Sequence, residues 1–298
     1  SYSAIGADCS VTVTHSGFLT LVGRPNAGKS TLLNRILGEK VSIVSNKPQT
    51  TRSRVMGVLH EGTSQIVFVD TPGIHKPVTA LGERLNQTAH EAVGDVDVVC
   101  LVVDATKPFG KGDRYVASSV PKDGVLVLNK IDRASPQQVL AQLAVAADLG
   151  LAEYFPLSAR TGEGVETFVS YLRTRLPEGP AYFPDDMMSD VPETVQVAEL
   201  VREQLFRILR EEMPYSIATR VTEWDLPRIS VDIIVERESQ KPMVIGKGGH
   251  VLKEVGIAVR KQLPKGRHLM LRVVVDKDWQ RKRHSVDRLL NYQIEDDL

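Results

Sequence analysis

An eight-residue loop between a strand pattern and a helix pattern is the feature that most restricts the fold of this chain. Residues 23–30 read Gly-Arg-Pro-Asn-Ala-Gly-Lys-Ser, after an apolar strand pattern at 18–23 and before a helix pattern at 29–37. A loop of the form G-x-x-x-x-G-K-S at such a junction curls its backbone N–H groups around phosphates, and the helix N-terminus adds partial positive charge. The loop therefore indicates an α/β domain that binds a nucleoside triphosphate.

The polar residues of this phosphate loop have distinct expected roles. The Lys29 ammonium should reach the terminal phosphates, and the Ser30 hydroxyl should bind Mg²⁺. The phosphate contacts are expected from residues of the loop and of the first helical turn: Gly23, Asn26, Ala27, Gly28, Lys29, Ser30 and Thr31. The alternative is a glycine-rich turn with an accidental lysine, and each further nucleotide motif makes it less tenable.

The order of strand and helix patterns predicts the architecture of the first half of the 298 residues. Up to residue 176 the two patterns alternate, which is typical of a doubly wound, mostly parallel sheet with helices on both faces. The expected strands are 18–23, 54–60, 64–70, 96–104, 124–129 and 151–157. Because three residues are too few for a parallel crossover, the second and third strands should form an antiparallel hairpin and make the sheet mixed.

A proline-rich stretch divides the chain. Residues 177–192 contain four prolines and have neither a helical nor an alternating period, which indicates a linker. After it, a helix (193–211), two strands (215–224 and 228–237), two helices and a strand (268–275) predict an α+β domain. The expected units are an unassigned leader at 1–16, a first domain at 17–176, the linker, and a second domain at 193–298.

A second nucleotide motif, Asp70-Thr71-Pro72-Gly73, follows the strand predicted at 64–70. It lies about forty residues after the phosphate loop, the spacing at which both motifs can converge on one metal–phosphate unit. We expect the Asp70 carboxylate beside Mg²⁺ and the Gly73 N–H beside the terminal phosphate. An ordinary Asp-Pro-Gly turn is the alternative.

The tetrapeptide Asn129-Lys130-Ile131-Asp132 ends the strand predicted at 124–129 and indicates guanine. The Asp132 carboxylate can accept the N1 and exocyclic amine protons of guanine, whereas adenine presents an acceptor at N1 and would leave the carboxylate unpaired. The Lys130 stem should stack over the base. One strand later, Ser158 and Ala159 should supply a backbone N–H for the guanine oxygen. These motifs in this order identify a GTPase.

The polar segment 45–52 between the phosphate loop and Asp70 is suited to a nucleotide-sensing switch. By resemblance to GTPases with a Thr-Thr-Arg switch, Thr51 is the expected second Mg²⁺ ligand, with Thr50 as the alternative. The expected metal ligands are then Ser30, Thr51 and Asp70.

The residues for hydrolysis are less evident. Many GTPases orient the attacking water with a glutamine just after D-x-x-G, but here that position is Ile74, which cannot hydrogen-bond water. In similar GTPases an asparagine at the position of Asn26 helps to bind K⁺, which stands in for an arginine finger. The alternative for Asn26 is a local loop-capping role. We expect slow, K⁺-assisted hydrolysis that depends on Asn26, Lys29, Thr51 and Gly73.

The second domain carries a signature of RNA binding. Residues 241–283 contain 12 Lys or Arg against 3 Asp or Glu, although the net charge of the chain is zero. Within this basic segment, Gly246-Lys247-Gly248-Gly249 precedes a helix pattern, which is the K-homology signature of a backbone clamp for about four nucleotides. Lys253 in that helix is a further expected RNA contact. A solvated basic face is the alternative.

Composition excludes several other classes of protein. The longest nearly apolar run, 96–103, is much shorter than the ~20 residues that span a bilayer, and the first sixteen residues lack the features of a secretory signal. Two cysteines, Cys9 and Cys100, make neither a disulfide framework nor a metal cluster. We therefore expect a cytoplasmic protein.

The combined motifs closely resemble the Era family of TRAFAC GTPases, which carry a C-terminal type II K-homology domain. The resemblance rests on G-R-P-N-x-G-K-S, T-T-R, D-T-P-G, N-K-I-D, the Pro-Tyr-Phe-Pro linker and V-I-G-K-G-G, and extends from about residue 17 to the end. It implies a monomer that uses GTP, GDP and Mg²⁺. The implied partner is small-subunit ribosomal RNA near its 3′ end, bound to assist small-subunit assembly, with GTP loading favouring RNA binding.

Two departures from the family pattern stand out: Ala27 in a place often held by valine, and the long leader. Peripheral membrane contact is a further expectation that the sequence leaves open. Two alternatives also stay open at this point. One is an RNA-binding nucleotide switch with negligible hydrolysis, for which Ile74 is the best support, and the other is a GTPase that acts in tRNA modification.

Overall fold

The first domain is a six-stranded sheet with helices on both faces. The computed structural model describes residues 15–45, 50–52, 55–72, 80–94, 96–210 and 213–290. The strands are β1 (His15–Gly23), β2 (Val55–Glu61), β3 (Ser64–Asp70), β4 (Val98–Asp104), β5 (Val125–Asn129) and β6 (Glu153–Leu157). The helices are α1 (Lys29–Leu37), α2 (Ala80–Gly94), α3 (Lys111–Ala117), α4 (Pro136–Ala147) and α5 (Val165–Thr174).

The strand order explains why the nucleotide motifs meet. The sheet runs β2-β3-β1-β4-β5-β6, and β1, β3, β4, β5 and β6 are parallel to one another. Only β2 is antiparallel, paired with β3 through the tight turn at Gly62, which confirms the predicted hairpin and the mixed sheet. Since parallel strands end at the same edge, the loops after β1, β3, β5 and β6 meet there.

Buried side chains fill both faces of this sheet. On one face, α1 and α5 contribute Leu33 and Phe168 to a cluster with β1 and β3, and on the other, α3 and α4 contribute Val116 and Ala146 to a cluster with β4 and β5. The near-continuous apolar character of β4 follows from this double coverage, because a strand buried on both faces has no solvent-exposed side.

The first domain begins slightly earlier than residue 17. Strand β1 starts at His15, where Ser16 is paired with Gln65 and the Ser16 N–H donates to the Pro177 carbonyl at 3.1 Å. These partners lie far away in the chain, so local periodicity could not reveal the pairing. Residues 1–14 of the expected leader lie outside the described residues.

The linker is anchored on the first domain over most of its length. It forms no helix or strand of its own, yet the Val58 N–H of the edge strand β2 donates to the Met188 carbonyl at 2.9 Å. The Gln65 amide accepts the Tyr182 N–H at 2.7 Å and donates to the Phe183 carbonyl at 2.8 Å. The free edge of β2 is thereby covered.

The second domain is a three-stranded sheet with helices against it. Its elements are α6 (Glu193–Ile208), β7 (Ala218–Asp225), β8 (Arg228–Val235), α7 (Lys241–Ile245), α8 (His250–Arg260), β9 (His268–Val275) and α9 (Arg283–Leu290). β8 lies between antiparallel β7 and parallel β9. The order α-β-β-α-α-β agrees with the predicted type II K-homology domain.

Two boundaries in the second domain differ by three residues from the sequence prediction. Helix α6 ends at Ile208 rather than at 211, and β7 begins at Ala218 rather than at 215. Met213–Ser216 instead form a 3₁₀ turn, and the Tyr215 carbonyl accepts side-chain bonds from Arg52 and Gln280. A carbonyl that is engaged by distant side chains is not available to a sheet ladder, so tertiary contacts moved the start of the strand.

The two domains share an apolar cluster. Leu81 and Leu85 of α2 pack with Trp279 and with Val286 and Leu289 of α9. The ion pair between Arg84 and Asp287, at 3.6 Å, lies at the same contact between α2 and α9. The helix that follows the second nucleotide motif therefore rests on the second domain.

Within the described part of the chain, no helix is both long and apolar enough to cross a bilayer, and no cluster of three or more His, Cys, Asp or Glu side chains could hold a metal ion. Cys100 is a free thiol inside β4, and its burial raises its pKa to about 12.

Candidate functional site

The phosphate loop has the backbone conformation that its glycines predict. Gly28 has a φ of +98°, and a Cβ there would lie 2.3 Å from the Asn129 amide nitrogen. A Cβ at Gly23 would lie 2.4 Å from the Val102 carbonyl. Asn26 also adopts a left-handed conformation, with φ of 65°. Any larger residue at either glycine would displace the loop.

Lys29 is held at this loop by the loop's own carbonyls. Its ammonium donates to Gly23 O at 3.2 Å and to Arg24 O at 3.4 Å. Burial lowers the pKa of Lys29 to about 8, and the nearby Asp70 carboxylate works in the opposite direction. A phosphate in place of the two carbonyls would therefore stabilise the charged form of the amine.

Three expected metal ligands lie within hydrogen-bond distance of one another. The Ser30 hydroxyl is 2.7 Å from Asp70 Oδ2 and 2.9 Å from the Thr51 hydroxyl. Thr51 Oγ1 is 3.5 Å from the same carboxylate oxygen. By contrast, the Thr50 hydroxyl faces Ser45 at 2.6 Å. Hydroxyl and carboxylate oxygens are the ligands that Mg²⁺ prefers.

Asp70 has spare capacity for a cation. Its Oδ2 accepts bonds from Ser30 and Ser42, whereas Oδ1 is buried and has no hydrogen-bond partner among the described residues. Burial raises the pKa of Asp70, with the Lys29 charge and the serine hydrogen bonds opposing the rise. A divalent cation would compensate the buried charge, so the donor set fits Mg²⁺. Gly73 and Ile74 lie outside the described residues.

The Asn129 side chain connects three loops of the site by hydrogen bonds. Its side-chain oxygen accepts the N–H groups of Lys130 at 2.8 Å and of Ala159 at 3.0 Å, while its amide donates to Ala27 O at 2.9 Å. One buried side chain thus ties the phosphate loop to the loops after β5 and β6.

Lys130 joins the phosphate loop to a residue that sequence reasoning missed. Its ammonium donates to Asn26 O at 2.6 Å and to Asp104 Oδ2 at 2.7 Å. Although burial works against it, bonds from Lys130 and Thr106 hold the pKa of Asp104 below its usual value. The sequence signal that could have identified Asp104 is its position as the carboxylate that ends the apolar strand β4, at the same edge of the sheet.

The expected base-recognising carboxylate is enclosed. Asp132 Oδ1 accepts the Ser158 hydroxyl at 2.7 Å, and Oδ2 lies 2.8 Å from Arg160 Nη2. Arg160, a second residue that the sequence did not single out, is itself exposed. Asp132, Lys130 and Asn26 all line a cavity of about 530 Å³, within the range of small-ligand sites.

The glycine-rich loop of the second domain lies between α7 and α8. Gly246, Gly248 and Gly249 have φ angles of 75°, 62° and 77°. A Cβ at Gly248 or Gly249 would meet no described atom within 4 Å, so these residues face open space, as do the side chains of Lys247 and Lys253. A nucleic-acid backbone can approach such a loop closely.

Large apolar side chains are exposed beside this loop. Met243 of α7 and Ile257 of α8 are 53% and 41% exposed, and the two helices contact each other. An exposed apolar surface next to basic residues is suited to unstacked bases.

Comparison with family models separates the same two domains. Residues 18–130 match the model described as 50S ribosome-binding GTPase, and residues 212–280 match the KH domain model. These ranges contain the phosphate loop with Asp70 and the glycine-rich loop, respectively.

Relatives and solved structures match nearly the whole chain. GTPase Era of Mycobacterium tuberculosis is 43% identical, with 94% of this chain and 99% of the relative covered. GTPase Era of Clostridium botulinum is 46% identical over 83% of this chain and 87% of the relative.

Two crystal structures of Era superpose on the chain with 38% identity. Era in complex with MgGDPNP and nucleotides 1506–1542 of 16S ribosomal RNA has a TM-score of 0.89 and covers 94% of this chain and 99% of its own. A single-residue variant of Aquifex aeolicus Era bound to GDP·AlF₄⁻ has a TM-score of 0.87 and covers 93% and 99%. The chain therefore belongs to the Era family of GTPases, with a P-loop GTPase domain followed by a KH domain.

Proposed function

We propose that this chain binds GTP with Mg²⁺ in the cavity at the carboxyl edge of the large sheet and hydrolyses it. The observation that carries the proposal is that Ser30, Thr51 and Asp70 lie within hydrogen-bond distance of one another at the phosphate loop, while Asp132 lines the adjoining cavity. The first group has oxygen donors for a metal, and the second has a carboxylate for the guanine edge.

In this proposal Ser30, Thr51 and Asp70 hold Mg²⁺, which when bound neutralises charge on the phosphate oxygens. Thr51 is preferred over Thr50 because its hydroxyl lies 2.9 Å from Ser30, whereas the Thr50 hydroxyl is engaged by Ser45. Lys29 exchanges its loop carbonyls for the terminal phosphates. The backbone N–H of Gly73 is the proposed additional contact to the last phosphate.

The guanine base is recognised by Asp132 under this assignment. Ser158 orients one carboxylate oxygen, and the Ala159 N–H, which donates to Asn129 Oδ1 at 3.0 Å, would exchange this acceptor for the guanine oxygen. Lys130 covers the base with its stem while its ammonium bridges Asn26 and Asp104. Gly23, Ala27, Gly28 and Thr31 complete the contacts to the phosphates.

Hydrolysis is proposed to be slow and to be assisted by K⁺ at Asn26. Support comes from Ile74, which occupies the place of the water-orienting glutamine, and from the left-handed backbone of Asn26 within the loop. Multiple-turnover rates measured in KCl should exceed those in NaCl at equal ionic strength, and Asn26→Ala should abolish the difference. Equal rates in both salts would contradict K⁺ assistance.

The KH domain is proposed to bind small-subunit ribosomal RNA near its 3′ end and thereby to assist small-subunit assembly. The solved Era complex contains nucleotides 1506–1542 of 16S ribosomal RNA, and this chain has the open glycine loop with Lys247 and Lys253 beside an apolar surface. Crosslinking in cells followed by sequencing tests this: enrichment of the 16S 3′ end is expected. Predominant tRNA reads would instead favour a role in tRNA modification.

We also propose that the protein acts as a monomer in the cytoplasm. Peripheral contact with the membrane stays a prediction. Co-sedimentation with liposomes of anionic lipid tests it, with neutral liposomes as the control.

A further inference from the structure

The segment from Lys40 to Arg52, which carries Thr51, contacts the second domain in both of its described parts, residues 40–45 and 50–52. At its start, the Lys40 ammonium pairs with the Glu203 carboxylate of α6, and the Val44 N–H donates to Glu203 Oε1 at 3.1 Å. The side chain of Glu203 is only 1% exposed. A buried carboxylate needs such partners, because an unpaired charge in this position is costly.

The end of the segment is also held by α6. Arg202 is also on α6 and is 2% exposed. Its Nε and Nη2 donate to the Glu199 carboxylate, and Nη2 also donates to the backbone carbonyl of Thr50. A residue of the RNA-binding domain thus bonds directly to the backbone next to the expected metal ligand.

Arg52 makes the reciprocal contact from the first domain. Its guanidinium donates to Ile217 O at 2.6 Å and to Tyr215 O at 3.1 Å, and lies 5.5 Å from the centre of the Trp279 ring. The residue is 3% exposed. An arginine buried among carbonyls and an indole is stable only while those partners stay in place.

Three consecutive residues are therefore fixed in two places. Thr50 and Arg52 are bonded to the second domain, and Thr51 between them faces Ser30 and Asp70. Adjacent Cα atoms are about 3.8 Å apart, so Thr51 cannot move far from the metal ligands while both neighbours are anchored. Conversely, release of the two anchors would free Thr51.

We propose that Arg202 and Arg52 are positioning residues for GTP hydrolysis: by fixing Thr50 and Arg52 to the second domain, they place the Thr51 hydroxyl at the Mg²⁺ site. This inference rests on the proposed function of Thr51 as a metal ligand. It makes the KH domain a part of the catalytic apparatus, since the nucleotide site of the first domain is complete only when the second domain is docked.

The test compares Arg202→Ala with Arg272→Ala in the full-length protein. Both arginines donate from two nitrogens to one carboxylate of the second domain, Glu199 and Asp232 respectively, but only Arg202 also reaches Thr50. We expect Arg202→Ala to lower kcat for GTP by about tenfold, the effect of losing one charge-assisted hydrogen bond. Arg272→Ala should keep the wild-type kcat and KM.

Measurements of nucleotide affinity distinguish a positioning role of these arginines from a general loss of folded structure. The contact of switch segments with Mg²⁺ depends on the γ-phosphate. Arg202→Ala and Arg52→Ala should therefore lower the affinity for a non-hydrolysable GTP analogue in the presence of Mg²⁺ and leave the affinity for GDP unchanged. The affinity of Arg202→Lys for the GTP analogue should lie between those of the wild type and Arg202→Ala. A lysine has a single ammonium, which cannot donate from two nitrogens to Glu199 and also bond to Thr50.

Trp279 supplies an independent optical readout. In a Trp224→Phe background it is the sole tryptophan, and Arg52 lies over its ring. The emission of Trp279 should differ between the GDP and GTP-analogue complexes, and Thr51→Ala should abolish the difference without touching the indole.

The outcomes are distinct. Wild-type kcat and KM in Arg202→Ala, or an equal loss of GDP and GTP-analogue affinity, overturns the positioning role. Wild-type hydrolysis in Thr51→Ala instead overturns the metal assignment in the proposed function, whatever the arginine variants do.

Discussion

At the scale of single residues, the site depends on side chains that hold other residues in place. Asn129 bonds to three loops, and Lys130 bridges Asn26 and Asp104. The sequence motif assigned both to the nucleotide, whereas their bonds in the structure brace the pocket. The side chain expected to select the base is Asp132, so its substitution is the most specific test of the pocket.

Asp132→Asn should lower the affinity for GTP by tenfold or more and raise the affinity for xanthosine triphosphate. A carboxylate accepts two guanine protons, each bond being worth roughly 1.5–3 kcal/mol, whereas an amide can donate to the oxygen that xanthine presents. Competition between the two triphosphates measures the exchange. Asp148→Asn, the same chemical change at an exposed position just after α4, is the control. Unchanged preference for guanine would refute the assignment.

Lys29 should make nucleotide binding depend on pH. Because burial lowers its pKa to about 8 in the free protein, roughly half of these side chains are neutral at pH 8. A bound phosphate favours the ammonium and raises the pKa, so binding at pH 8 should take up about half a proton and affinity should fall as the pH rises further. Calorimetry in two buffers of different ionisation enthalpy detects the uptake. Identical heats in both buffers would contradict it.

At the scale of elements, both functional loops are glycine-rich turns that lead into a helix, but their glycines serve different ends. Those at 23 and 28 are required because a Cβ would collide with neighbouring strands. Those at 248 and 249 face open space, so their requirement is a positive φ and access from outside. Substitution in the second loop should therefore affect the ligand more than the fold.

Gly248→Asp should reduce RNA affinity by at least tenfold while GTP affinity is retained. The carboxylate would face a phosphate backbone, and the strain at φ of 62° costs about 1 kcal/mol of stability. Gly38→Asp is the matched control, since this residue has φ of 72° and also faces open space, but lies after α1 in the first domain. Filter binding to a 16S 3′-end RNA measures the effect. If RNA affinity survives in Gly248→Asp, the clamp lies elsewhere.

At the scale of the whole molecule, the domains are joined by more than the chain connection. Residues 177–192, which the sequence indicates only as a linker, cover the edge of β2. Leu81 and Leu85 of α2 are buried against α9 and Trp279 of the second domain. Domain docking is thus supported by apolar burial as well as by the Arg52 and Arg202 contacts.

Leu85→Ala should uncouple the unfolding of the two domains. The leucine is fully buried in the shared cluster, so its truncation should cost about 2–5 kcal/mol, lost from the interface. Calorimetric melting should change from one transition to two. Leu172→Ala, an equally buried leucine inside the first domain alone, should lower the transition temperature without splitting the transition. A single, unshifted transition in Leu85→Ala would show that the cluster does not couple the domains.

The sequence by itself determined the fold class, the antiparallel hairpin and the residue types of both functional loops. Phosphates and a close backbone approach admit few residue types, and strand or helix periods are local properties of the chain. Ser30 and Asp70, chosen from sequence motifs, and Thr51, chosen by resemblance with Thr50 as the alternative, lie within hydrogen-bond distance of one another in the structure.

Only the tertiary structure decided which residues support these motifs. Asp104 beside Lys130, Arg160 beside Asp132, and Arg202 on the Thr50 carbonyl are separated from their partners by 26, 28 and 152 positions. Such pairs follow no local period and belong to no short motif, because they arise from how sheet edges and domains pack. The same packing shifted the start of β7 and placed residues 50–52 between the domains.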